Sequence, residues 1–188
     1  MKIIPIYKPY IFSIQYDDRE ENEYDRLFDL WNDITYLLQF FEENKEYLKN
    51  EIWNHINEPE NAVSQVLEEA ERLEDLFEAL NENSENGSTP DFDSHFHYLD
   101  GKYKYEIELI PVKSYGMEHP SLLRMYAIQL EANTYIITGG GIKLADTIQS
   151  SPGMGEYILQ DIDRVRTFLQ QNGILTNEDI NEQQDNQL

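Results

Sequence analysis

Residues 122–143 read LLRMYAIQLEANTYIITGGGIK, and the fold turns on them. Two runs rich in apolar, aromatic and β-branched residues, LLRMYAIQL and NTYIITGG, flank Ala132-Asn133. Such a pair around a short polar link predicts two antiparallel strands joined by a tight turn. Gly139, Gly140 and Gly141 then precede Lys143 by one residue. Glycine-rich turns after strands often hold phosphate, but a P-loop spaces its glycines so that backbone amides wrap the anion ahead of Gly-Lys-Ser/Thr. Here Ile142 precedes the lysine and Leu144 follows it, so no P-loop is expected. The glycines instead predict a bulge or bend that needs positive φ or a close backbone approach.

Working outward, FHYLDGKYKYEIELIPVK has a turn signal at Asp100-Gly101. Tyr103, Tyr105, Ile107 and Leu109 alternate after it, which predicts a further strand. Downstream, Ile158, Ile162, Val165 and Leu169 recur at helical spacing, and Asn172-Gly173 is a helix stop. The closing TNEDINEQQDNQL is polar and reads as a loose tail.

Upstream, KIIPIYKPYIFSIQY reads as one strand whose prolines, at 5 and 9, confine its first part to a sheet edge. Leu27, Leu30, Trp31, Ile34, Leu38 and Phe41 predict a helix running to about Leu48, with WND at 31–33 as its kink. Pro59 suits the first turn of another helix, whose apolar positions Val63, Val66, Ala70, Leu73, Phe77 and Leu80 form a heptad-like seam. The economical partner for that seam is the preceding helix, giving an antiparallel helical hairpin over about residues 20–82; a homodimer interface is the rival. Glutamates 68, 69, 71, 74 and 78 read as a solvated face. The order strand, two helices, three strands, helix predicts an α+β domain over residues 1–172, with 173–188 as tail.

The chain carries 14 basic and 37 acidic residues, a formal net charge of −23. Residues 1–94 hold 7 basic and 24 acidic residues, whereas 95–172 hold 7 and 9. The whole repels nucleic acid, while the nearly neutral second half leaves room for a local basic patch. There is no cysteine, so disulfides, thiol catalysis and cysteine-ligated metals are excluded. MKIIPIYKPYIF lacks the uninterrupted apolar run and small-residue cleavage site of a signal peptide. No segment approaches the roughly 20 apolar residues of a membrane helix. The expectation is a soluble, cytoplasmic protein without a membrane partner.

Arg124 opens one strand and Lys143 follows the next, so the two cations are placed to share a concave surface and bind an anion. Pairing with Glu106, Glu108 or Asp146 is the competing explanation. DFDSHFH sets His95 and His97 at a chelating spacing if extended, but without a defined third ligand it reads as a polar loop edge. No metal and no other cofactor are expected.

The element order, with YLDGKYKYEIEL, LLRMYAIQL, YIITGGGIKLADTIQ and the helix EYILQDIDRVRTFL, resembles the RelE/ParE toxin superfamily, its HigB-like members above all. The likeness covers about residues 95–170 in motif and the first half in topology, a helical hairpin ahead of a small antiparallel sheet. It implies a toxin of a toxin–antitoxin pair, with an antitoxin protein as partner. If active, it implies metal-independent cleavage of mRNA on the ribosome, in which the ribose 2′-hydroxyl is activated to attack the adjacent phosphate. The family's strand-opening arginine and post-strand lysine match Arg124 and Lys143. Arg124 would stabilise the phosphorane, Lys143 would bind phosphate or assist proton transfer, and Tyr126 or Lys113 would orient the RNA. The second basic residue that follows the lysine in active relatives is Leu144 here, and only Tyr157 stands where a late catalytic tyrosine is wanted. The alternative is a non-catalytic protein-interaction module on the same fold, dimeric through its acidic hairpin.

Overall fold

The computed structural model describes residues 1–106, 108–116 and 120–185. The N-terminal apolar run folds back on itself. Strand β1 (Lys2–Tyr7) pairs antiparallel with β2 (Ile11–Gln15) across a turn containing a cis Lys8–Pro9 bond. One strand was expected there. The lysine–proline pair sits inside an unbroken apolar pattern, which conceals the turn. β1 is the sheet edge, where Pro5, lacking an amide hydrogen, costs no ladder bond.

The helical layer follows as α1 (Glu23–Asn32), α2 (Ile34–Glu43), the single turn α3 (Lys45–Leu48), a 3₁₀ segment at Glu51–Ile56 and the long α4 (Pro59–Glu85). Asp33 breaks the first helix, ending α1 through its amide and capping α2 by accepting from the Tyr36 amide at 3.0 Å. Pro59 stands in the first turn of α4 as anticipated. Val63, Val66, Ala70, Leu73 and Phe77 are buried in one cluster with Leu27, Trp31, Leu37 and Phe41 of α1 and α2. The seam is therefore covered by the chain's own helices and presents no apolar stripe to a second copy.

The rest of the sheet comes from β3 (His97–Tyr98), β4 (Ile110–Tyr115), β5 (Leu123–Glu131) and β6 (Thr134–Ile142). The strands lie in the order β1-β2-β6-β5-β4-β3, antiparallel except for the parallel pair β2–β6. β5 and β6 meet at Asn133, whose φ of +60° makes the tight turn. The strand expected over Tyr103–Leu109 is displaced. Asp100 accepts from the Lys102 amide and starts a 3₁₀ turn at Gly101–Tyr105, and extended pairing begins at Ile110, after Leu109 at φ +49°. Ile107, part of that expected alternation, lies outside the described residues.

Side chains alternate across the sheet. Ile11, Met125, Ala127, Tyr135 and Ile137 pack with α1, α2 and α4, whereas Phe12, Ile14, Ile128 and Ile136 pack with α5 (Gly155–Gln171) and α6 (Asn177–Asp185). The segment expected to be a loose tail thus belongs to the core, with Ile174 and Ile180 both buried. Its few apolar residues suffice because they dock on a surface that β2 and α5 already present. Ile180→Ala is expected to lower stability by about 2–4 kcal/mol, read as an earlier urea midpoint. An unchanged midpoint would mean that α6 contributes nothing.

Candidate functional site

The register of the sheet assembles the site. Lys113 and Tyr115 of β4 pair with Tyr126 and Arg124 of β5, which pair in turn with Gly139 and Gly141 of β6. All six share one face of the sheet, and Lys143 lies two residues beyond Gly141. That face opens into a cleft of about 490 Å³. Arg124, Lys143, Tyr126 and Lys113, the residues singled out from the sequence, all line it, together with Lys102, Tyr103 and the 146–149 loop. Four of the chain's 14 basic residues border this one hollow, against the carboxylate-bearing Asp100 and Asp146. The sheet stands between the cleft and α4, which carries nine acidic residues.

The three glycines are strand residues. The β5–β6 register slips at Tyr126/Ala127, leaving Thr138 as the extra residue of a bulge, with Gly139 next to it at φ +153°. The Tyr16 hydroxyl donates to the Thr138 carbonyl at 2.8 Å and fixes the bulge. A side chain at Gly140 would run into the Arg124 carbonyl and Leu27. Backbone approach, as expected, explains these residues.

Arg124 stacks its guanidinium on Tyr115, 4.4 Å from the ring centroid, and donates from Nη1 to the carbonyls of Ser121 and Leu123 at 2.9 and 2.6 Å. No carboxylate pairs with it among the described residues, and burial shifts its ionisation downward. Lys143 donates to the Asp146 carbonyl at 2.7 Å. Its ammonium is pushed below the usual lysine range by burial first, then by Arg124 and Lys113. Lys113 donates to the Leu99 carbonyl at 3.2 Å and lies 5.9 Å from the Tyr115 centroid. Tyr126 is buried on the floor against Met154, Ile158 and Ile162, and burial raises its phenol well above the usual range. It is a neutral hydroxyl at any ordinary pH.

The wall behind Lys143 is braced from two sides. The Trp53 indole donates to the Leu144 carbonyl at 3.0 Å, and buried Ser151 accepts from the Leu144 and Ala145 amides. Leu144 itself is buried in the main core, so a basic residue at that position would not reach the cleft. Tyr157 is not among the cleft residues; its hydroxyl donates to the Gly153 carbonyl, and its charged neighbours are Arg26, Glu23, Arg19 and Asp161. His95 closes a 3₁₀ turn, while His97, which is not among the cleft residues, has its ring 5.5 Å from that of Tyr115. His119 lies outside the described residues. Among the described residues no three histidine, aspartate or glutamate side chains are placed to hold a metal ion, and no helix is long and apolar enough to cross a membrane.

The chain matches no family model, no curated protein and no solved structure. What the site does therefore rests on its own chemistry. Converging cations that no carboxylate caps among the described residues bind anions.

Two elements escaped the sequence reading. Tyr115 would have emerged as a cleft residue had the strand been placed at Ile110–Tyr115, where it alternates with Lys113. Glu69, expected on a solvated face, is wholly buried. Its spacing, three after Val66 and four before Leu73, sets it on the apolar side of α4 and was the available signal.

Proposed function

We propose that the protein is a RelE/HigB-like member of a toxin–antitoxin-type system whose cleft binds the sugar–phosphate backbone of RNA and, in the active form, cleaves it without metal. The carrying observation is the convergence of Arg124, Lys143 and Lys113 on one open hollow whose cations are not capped by carboxylates among the described residues. A helical hairpin ahead of a largely antiparallel sheet, closed by a helix on the far side, supports the family reading. An acidic layer held behind the sheet supports RNA access from the cleft side.

In the reaction, the ribose 2′-hydroxyl gives its proton to solvent as its oxygen attacks the adjacent phosphorus, the P–O5′ bond breaks and the departing 5′-oxygen takes up a proton, leaving a 2′,3′-cyclic phosphate and a 5′-hydroxyl. Arg124 faces the negative charge that grows on the phosphorane oxygens. Lys143, its ammonium destabilised by burial and two neighbouring cations, passes a proton more readily than an ordinary lysine. Tyr126 and Tyr115 fix the surface on which the substrate lies.

A second reading is favoured by one observation: Tyr126 is buried and Tyr157 lies elsewhere, which leaves the cleft short of a second proton-transfer group. On that reading the same cations bind an RNA or phosphoprotein partner and cleave nothing. Induced expression separates the two. The wild type is expected to arrest growth with fragmented transcripts, and an Arg124→Ala/Lys143→Ala double variant to do neither. Equal growth and intact transcripts for both remove the nuclease; retained RNA binding by the purified wild type then leaves the binding module.

A further inference from the structure

Glu69 is the one residue of the α4 acidic run that is completely buried. Its carboxylate reaches the sheet from the face opposite the cleft. It accepts from the Ser121 hydroxyl at 2.6 Å, from the Leu122 and Leu123 amides at 3.3 and 3.4 Å, and from the Gln65 side-chain amide at 2.6 Å. Ser121 is drawn in further, since its hydroxyl oxygen accepts from the Gly116 amide at 2.9 Å. Gly116 is a glycine because a side chain there would occupy the place of the Glu69 carboxylate. The Ser121 carbonyl, on the same peptide unit as the Leu122 amide, faces Arg124 on the other side, and with the Leu123 carbonyl it accepts from Arg124 Nη1.

We infer that Glu69 is a positioning residue that holds the Arg124 guanidinium in the cleft through residues 121–123. An acceptor-only carboxylate fits a ring of donors that no neutral side chain satisfies. Binding the Leu122 amide orients the peptide plane whose Ser121 carbonyl Arg124 uses, and binding the Leu123 amide fixes the residue whose own carbonyl completes the pair on one guanidinium nitrogen. The buried negative charge also favours the arginine cation across the sheet, without touching ligand. As far as the ligand is RNA, this inference rests on the function proposed above; the coupling of Glu69 to Arg124 does not.

The test uses Glu69→Gln and the milder Ser121→Ala in the full chain. In ¹⁵N-arginine NMR of the free protein, the Arg124 side-chain signal, assigned by its absence in Arg124→Lys, is expected to stand apart from those of exposed arginines. It should move to the exposed position in Glu69→Gln and part of the way in Ser121→Ala, while backbone signals of β1 and α5 stay in place. With a fluorescent single-stranded RNA as probe, Glu69→Gln should weaken binding about tenfold, the loss expected when a charge-assisted contact is disordered. An Arg124 signal that stays put in both variants overturns the inference. An Arg124 signal that moves while the wild type ignores the RNA upholds the coupling and rejects the RNA reading. If Glu69→Gln fails to fold, Ser121→Ala decides on the same signal.

Discussion

Arg124→Ala is expected to slow single-turnover cleavage of a labelled single-stranded RNA by about 10²–10³-fold, the range seen when one preorganised donor to a developing oxyanion is removed. The size follows from how the guanidinium is held. Stacking on Tyr115 and two carbonyl contacts use one face and one nitrogen, leaving the Nε and Nη2 edge of the planar fork for a phosphate. Such a group needs no reorganisation as charge develops. Arg124→Lys keeps the charge but loses the fork and the stacked plane, so it should recover only a small part of the rate. Neither change opens a core cavity, because the side chain lines the cleft, and the urea midpoint should move far less than the rate. Cleavage by Arg124→Ala at the wild-type rate would remove the arginine from the chemistry.

How much of this was legible beforehand varied with the physics involved. β5 and β6 are rich in apolar, aromatic and β-branched residues and meet at an asparagine suited to positive φ, so local pattern and tertiary role agree. From those two strands alone, a cation opening one and a cation ending the next were already close in space. A kink at WND was expected in one helix reaching about Leu48; the structure has a full break there, because Asp33 both ends α1 and caps α2.

The misreadings share a cause. Tyr103, Tyr105 and Leu109 alternate as a strand does, yet Asp100 captures the Lys102 amide and local side-chain bonding overrides the pattern. The last residues looked too polar to pack, and alone they are; the groove made by β2 and α5 supplies what they lack. Glu69 and Tyr115 depend on contacts across the sheet, between residues far apart in the chain. Spacing could suggest their faces, but not that one would serve the other's arginine.

Gly140→Ala is expected to destabilise the fold by about 3 kcal/mol, the upper range for forcing one extra carbon into a packed interior. A β-carbon at this position would fall far inside contact distance of the Arg124 carbonyl oxygen and 3.0 Å from Leu27 Cδ1. Neither neighbour yields freely. The carbonyl belongs to the β5 backbone, and Leu27 is wholly buried between α1 and the sheet. Relief would require parting β5 from β6 or lifting α1, and a domain of this kind has only about 5–15 kcal/mol in total to lose. Gly101→Ala is the matched control, since nothing lies within 4 Å of its added carbon; its urea midpoint should stay within about 0.5 kcal/mol of wild type. The pair also decides what the glycine run is for. If Gly140→Ala were as stable as wild type yet lost RNA binding, the glycines would be a ligand loop after all. A large loss of stability, with the surviving folded fraction still binding RNA, assigns them to the close approach that lets Arg124 and Lys143 face one cleft.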